Sequence, residues 1–249
     1  MSAPLVRVDV LGTRVTASSF ADAQDFLAER VARAEPAVLC CANVYSVMLG
    51  VEDPRHRERM NRAAFVMADG MPLVWALRLR GARAERVHGD DLMLAACRDH
   101  PEWRHFLLGG AAGQAEAVAA ALGRRFPGIT IAGTRATPVR PVTPAEGTRI
   151  VDEIRRAAAQ VVWVGMGTPE QDAWMDTHAR QAGVPLVGVG SAFDLLAGRS
   201  RPAPGWVKQS GLQWLFRLLQ EPRRLGRRYL HYNPRFVWRL AREHLAGGR

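Results

Sequence analysis

Six short apolar runs, Ala37–Cys41, Ala64–Met67, Phe106–Leu108, Ile129–Ala132, Val161–Val164 and Leu186–Val189, punctuate the chain, each beside a stretch of helical periodicity. Runs of this length without polar alternation suit strands buried on both faces, as in a parallel sheet covered by helices. The intervening stretches read as helices on their own terms. Gly113–Phe126 carries an Ala-rich apolar face, Thr143–Ala159 opens on a Thr-Pro cap and first turn, and Pro169–Ala182 begins with proline. Ahead of them, Val6–Val10 and Thr13–Thr16 flank Leu11-Gly12 as a hairpin, and Ser18 or Ser19 is placed to cap a helix over Phe20–Ala34. The pattern predicts an α/β fold: a Rossmann-like, mostly parallel sheet with flanking helices, an N-terminal β-hairpin and a basic helical C-terminal appendage.

The βα rhythm stops after Phe193–Gly198, where Arg-Ser-Arg-Pro-Ala-Pro-Gly reads as an extended linker. This divides the chain into a Rossmann-like domain, 1–197, expected to hold any catalytic site, and an appendage, 198–249. Charge is divided at the same place. Residues 197–249 hold 12 of the 34 Lys and Arg but only Glu221 and Glu243 of the 24 acids, so the net charge of +10 resides there and the remainder is neutral. Three of the seven tryptophans (Trp206, Trp214, Trp238) and two of the three tyrosines (Tyr229, Tyr232) sit among these arginines. Gly211–Gln220, Pro222–His231 and Pro234–Leu245 read as three short helices separated by prolines, with Leu212, Leu215, Phe216, Leu218 and Leu219 on an apolar face.

Such an appendage fits an anionic surface or ligand. Cationic stretches also bind phosphate backbones, but helices rich in Leu, Trp and Phe favour lipid or core contact, so no nucleic-acid partner is expected. The first residues lack a signal peptide's charged and apolar regions, and no apolar run approaches the roughly 18 residues of a spanning helix. The expected place is the cytoplasm. Cys40, Cys41 and Cys97 have no C-x-x-C spacing and read as reduced, buried thiols. With no Asp-x-Asp, no His/Cys cluster and no H-E-x-x-H, no metal site is expected.

In an open parallel sheet ligands bind beyond the carboxyl ends of the strands. Asn43, after the first run, is either a donor and acceptor for a sugar hydroxyl or a helix N-cap. Asp69-Gly70, after the second, places a carboxylate at a strand tip, or simply makes a turn. Gly109-Gly110-Ala111-Ala112-Gly113 and Gly165-Met166-Gly167-Thr168-Pro169 open helices as phosphate-binding turns do, and Gly188-Val189-Gly190-Ser191 repeats the device. Arg86-Val87-His88-Gly89-Asp90-Asp91 puts a guanidinium and carboxylates on a short loop, with Asp90 or Asp91 able to cap a helix. A nicotinamide-dependent oxidoreductase is a weaker reading, because Gly165-x-Gly167 lacks the full G-x-G-x-x-G fingerprint and its acid about 20 residues on.

Taken in order, these loops resemble the WecG/TagA/CpsF family of bacterial glycosyltransferases over nearly the whole chain. The matching motifs are Ala42-Asn43-Val44, Asp53-Pro54, Ala68-Asp69-Gly70-Met71, Arg86-Val87-x-Gly89-x-Asp91-Leu92, Phe106-Leu107-Leu108-Gly109-Gly110, Val164-Gly165-Met166-Gly167-Thr168-Pro169-x-Gln171 and Gly188-Val189-Gly190-x-Ala192-Phe193-Asp194. The appendage adds Ala203-Pro204-x-Trp206, the segment from Gly211 to Arg224, Arg227-Arg228-Tyr229 and Asn233-Pro234-Arg235-Phe236. The resemblance implies inverting transfer of N-acetylmannosamine, its uronic acid, glucose or a related hexose from a UDP-sugar to an undecaprenyl-diphosphate-linked sugar, in cell-surface polysaccharide or teichoic acid synthesis.

It also implies roles. Asp69 would be the general base, with Asn43 and Arg86 helping to hold the sugars. Gly109, Gly110, Gly165, Gly167, Gln171, Gly190 and Asp194 would form the donor site. Cys41, where the family often has Thr, would meet acceptor or diphosphate together with Asp91, Arg217, Arg224 and Arg227. No cofactor is implied beyond the UDP-sugar substrate. The protein would lie peripherally on the inner face of the cell membrane, against anionic lipid, with a homo-oligomer left open.

Overall fold

Ser19 closes a capping box, its hydroxyl accepting from the Asp22 amide while the Asp22 carboxylate accepts from the Ser19 amide, and α1 (Phe20–Ala32) starts there. Before it, β1 (Val6–Val10) and β2 (Thr13–Ala17) pair antiparallel across Leu11-Gly12, as the sequence predicts. The chain then runs β3 (Val38–Ala42), α2 (Val44–Glu52), α3 (Pro54–Arg62), β4 (Phe65–Ala68), α4 (Met71–Leu79), α5 (Gly89–Asp99), β5 (Arg104–Gly109) and α6 (Gln114–Arg125). It continues through β6 (Thr130–Arg135), α7 (Pro144–Arg156), β7 (Val161–Gly165), α8 (Glu170–Ala182), β8 (Leu186–Gly188), α9 (Ala192–Leu196), α10 (Gln213–Gln220) and α11 (Pro222–Gly247). This computed structural model describes residues 5–138, 140–204, 207 and 213–247.

All six apolar runs become strands of one parallel sheet in the order β4-β3-β8-β7-β5-β6. Successive strand residues point to opposite faces, so each strand feeds two cores. Cys40, Ala42, Val66, Val162 and Val164 pack with α2, α4, α7 and α8 on one face, while Leu39, Cys41, Met67, Trp163 and Val187 pack with α1, α5, α6 and α9 on the other. The hairpin joins the first core through Val10 and Val15, and the Thr16 hydroxyl accepts from the Val66 amide at 3.0 Å.

The appendage differs from its sequence reading. Pro234 does not end a helix: α11 continues through it, so the described appendage holds two helices, α10 and α11, where three were expected. Proline withholds the N–H that the Leu230 carbonyl would otherwise accept. Leu230 is exposed, so water can take that carbonyl, and contacts on both sides of the proline hold the helix in line. Tyr232, Phe236 and Leu240 join the first core, the Arg228 guanidinium lies 3.3 Å from the Tyr45 ring centroid, and the Tyr232 hydroxyl donates to Glu52 at 3.2 Å. Trp206, Gly211 and Leu212 fall outside the described residues.

The carboxyl ends of β5 and β7 meet through glycine. Gly109 has φ +126°, and a Cβ there would stand 2.6 Å from the Gly165 carbonyl carbon; a Cβ on Gly165 would stand 2.6 Å from the Phe193 ring. Gly109→Ala therefore combines backbone strain with overpacking and should lose roughly 3 kcal/mol or more of stability in urea titration. Gly123→Ala, in an exposed turn of α6 where an added Cβ meets nothing within 4 Å, should instead gain roughly 0.5–1 kcal/mol in the same titration.

Candidate functional site

β3 and β4 are neighbours with Ala42 opposite Ala68, so Asn43 and Asp69 leave the sheet side by side. The Asp69 amide donates to the Ala42 carbonyl at 2.7 Å, and the Val87 amide donates to the Ala68 carbonyl at 3.1 Å. The tip of β4 is thus tied to β3 on one side and to the loop entering α5 on the other. Beside it lies a cleft, partly open to solvent, lined by Asp69, His88, Gly89 and Asp90, by Ser191 and Leu195, and by Arg201, Phe216, Arg217 and Gln220 from the appendage.

Asp69 and His88 face each other as a pair, the imidazole Nδ1–H donating to carboxylate Oδ1, with side chains 24% and 12% exposed. Burial alone would push the Asp69 pKa up; the charge and hydrogen bond of His88, then Arg217 and Arg86, carry it below the ordinary carboxylate value. For His88, burial would lower the pKa, but the charge and hydrogen bond of Asp69, helped by Asp90 and opposed by Arg86, raise it above the ordinary histidine value. The cleft therefore holds an ionised carboxylate among cations.

The structure assembles part of the expected set here. Asp69 and Arg217 line the cleft, and Arg86 acts on both members of the pair. Asn43 takes its helix-capping role: its Oδ1 accepts from the Ser46 amide at 3.1 Å at the start of α2. Neither Asp90 nor Asp91 caps α5; both lie in its first turn, and the cap position is His88. Helical geometry then separates them. Asp90 enters the cleft, whereas Asp91 borders a separate depression with Phe20, Leu94 and Arg98. Arg227 stands exposed on α11, and the Arg224 side chain lies outside what is described.

Behind the cleft wall, the Cys41 thiol donates to the Gly188 carbonyl at 3.0 Å. Burial, and after it the charges of Asp69, Asp172 and Asp90, hold that thiol protonated, well above the ordinary cysteine value. Gly89 is what lets the α5 loop settle against it, since a Cβ there would come within 2.8 Å of the Cys41 sulfur.

The glycine turns sit at the carboxyl ends of β5, β7 and β8, as the sequence predicts, but they are held by side chains that sequence reasoning gave other roles or none. Gln171 is buried, and its Oε1 accepts from the Gly167 and Gly190 amides, each at 3.2 Å, clamping two turns together. Gln114 does the same for the third: its Oε1 accepts from the Ala111 amide at 3.1 Å and from Arg199 at 3.0 Å, while its Nε2 donates to Asp194 at 2.8 Å. His88, Gln114 and Arg199 are the residues that sequence reasoning missed. For His88 the only local signal was its place in the loop two residues after Arg86. Among the described residues, no group of three or more His, Cys, Asp or Glu is placed to hold a metal ion.

A model of the glycosyl transferase WecG/TagA/CpsF family matches residues 8–249. Among curated proteins, the chain is 30% identical over 206 residues, covering 81% of its own length and 78% of theirs, to two Staphylococcus aureus proteins from strains MW2 and NCTC 8325 / PS 47. Both carry the name N-acetylglucosaminyldiphosphoundecaprenol N-acetyl-beta-D-mannosaminyltransferase.

Asp172, next to the Gln171 clamp, is buried beside the Cys40 thiol, and burial pushes its pKa up to about 6. Its folded value exceeds its unfolded one, so the folded state binds the extra proton and stability falls as pH rises from about 4 through 6. Asp172→Asn should flatten that fall, which a two-unit shift sets at roughly 3 kcal/mol, in urea titrations between pH 3.5 and pH 7.

Proposed function

The chain belongs to the glycosyl transferase WecG/TagA/CpsF family, and on that premise we propose that it moves a hexose-type sugar from a UDP-sugar onto a sugar carried by undecaprenyl diphosphate, without a metal. Asp69 takes the proton of the acceptor hydroxyl, the freed oxygen attacks the anomeric carbon with inversion, and the bond to UDP breaks. Negative charge then gathers on the departing diphosphate. Arg217, in the same cleft as Asp69, is the group suited to meet it.

The observation that carries this reading is the Asp69 carboxylate, ionised and partly exposed at the tip of β4, with Arg217 beside it in one cleft. The names of the two Staphylococcus aureus relatives support the choice of acceptor and make N-acetylmannosamine the first donor sugar to try.

The appendage supplies the route to a lipid-borne substrate. Trp214, Leu215 and Leu219 on α10, and Leu230, Val237, Trp238 and Leu245 on α11, are exposed among arginines. No helix of the described residues is long and apolar enough to cross a membrane. An amphipathic, cationic face of this kind suits an anionic leaflet, which supports a peripheral position on the inner face of the cell membrane, near the lipid-linked acceptor.

Two measurements test the reading. Purified protein with undecaprenyl-diphosphate-GlcNAc, a panel of UDP-sugars and EDTA should release UDP from one donor only when acceptor is present. Asp69→Asn should lower that turnover by about 10²- to 10⁴-fold while leaving UDP affinity unchanged; near-normal turnover would remove Asp69 as the base. In flotation with anionic vesicles, Arg223→Gln together with Arg239→Gln should weaken binding by about thirtyfold, at about 1 kcal/mol per basic residue, and zwitterionic vesicles should bind neither protein.

A further inference from the structure

We infer that His88 is the positioning residue for Asp69: its Nδ1–H holds Oδ1, so that Oδ2 alone is presented to the incoming hydroxyl. The inference rests on the reading of Asp69 as base and adds to it a residue that turns a flexible carboxylate into an aimed one.

The backbone fixes His88 with respect to the strand that carries its partner. The amide of the residue before it, Val87, is bonded to the Ala68 carbonyl, and Asp69 follows Ala68 directly. On the other side, Gly89 is pressed against the Cys41 sulfur, Val189 and the Gly188 carbonyl so closely that an added Cβ would stand 2.8, 3.0 and 3.2 Å from them. His88 occupies the N-cap position of α5 but makes no side-chain cap. Its ring turns to Asp69 instead.

The second ring nitrogen separates two possible roles. Nε2 is shut off from solvent and has no hydrogen-bond partner among the described groups, so it is not the atom that meets a substrate hydroxyl. Both members line the cleft, and the Asp69 carboxylate is the more exposed of the two. Asp69 touches substrate, and His88 acts through it, in the way that an outer hydrogen-bond partner fixes an inner ligand.

The pair is surrounded by charge from several elements, Arg86 on the same loop, Asp90 on α5 and Arg217 on α10, while the Cys41 thiol on β3 is titratable but held protonated and neutral. Of the influences that keep Asp69 ionised, His88 is the largest, ahead of Arg217 and Arg86; the opposing influence is burial. Removing the imidazole leaves burial less opposed. The acid limb of kcat/KM, which reports protonation of the base, then moves to higher pH.

The test compares His88→Leu, which deletes the donor, with His88→Asn, whose amide nitrogen reaches the place of Nδ1 without its charge. The leucine variant should lose on the order of tenfold in kcat with donor KM little changed, and its acid limb should rise by about one pH unit. Asparagine should recover most of the rate at high pH while keeping the raised limb. A leucine variant with wild-type kcat and an unmoved limb would overturn the inference.

Imidazole ¹⁵N spectra of the full chain provide a readout that needs no turnover. His88 should show a protonated, hydrogen-bonded Nδ1 that changes on Asp69→Asn, and an unchanged signal would overturn the pairing. A wild-type chain that shows this signal yet transfers no sugar would instead defeat the reading of Asp69 as base, and with it the role of His88.

Discussion

Two backbone hydrogen bonds at the tip of one edge strand hold the site together: Asp69 N–H to the Ala42 carbonyl and Val87 N–H to the Ala68 carbonyl. The first continues the parallel ladder one residue past the end of β4 and sets the carboxylate beside Asn43. The second covers the open edge of β4 with the loop that carries Arg86 and His88. Three segments of chain are thereby locked in register, and two of them, the β4 tip with Asp69 and the loop with Arg86 and His88, bring charge to the same point. Without these bonds Asp69 would be a carboxylate in a turn, with no reason to face a histidine 19 residues away.

The glycine turns at the neighbouring strand ends obey a second constraint. Gly109, Gly165 and Gly188 lie where a Cβ would collide with a backbone carbonyl, the Phe193 ring, and the Gln171 amide with the Met175 methyl, respectively. Their first task is close packing. Gln171 and Gln114 then bond to the turn amides and shape the loops. The geometry of this edge is thus set by glutamines and missing methyl groups, within the chain itself.

The sheet was legible in the sequence because its signal is local. Unbroken apolar runs mark strands buried on both faces, and caps such as Ser19, Asn43 and Thr143 stand where helices begin. Asp69 was legible for the same reason, as a carboxylate directly after a run. The His88–Asp69 pair and the Gln114–Asp194–Arg199 network were not, because their members meet only through strand order. Pro234 misled through a rule that holds for isolated helices; burial of Phe236 and the contacts of Tyr232 outweigh it. Asp90 and Asp91 show the limit most sharply, since a helical step of 100° sends one into the cleft and its neighbour elsewhere.

The central claim is that sugar transfer takes place in the cleft between the strand ends and α10. Amide hydrogen exchange with and without saturating UDP tests it most directly, because it locates the nucleotide on the intact chain. The account predicts slowed exchange in the turns around Gly165–Gln171 and Gly188–Asp194 and in α10 around Arg217. Protection confined to the depression bordered by Phe20, Asp91 and Arg98, or to no part of the carboxyl edge of the sheet, would contradict it.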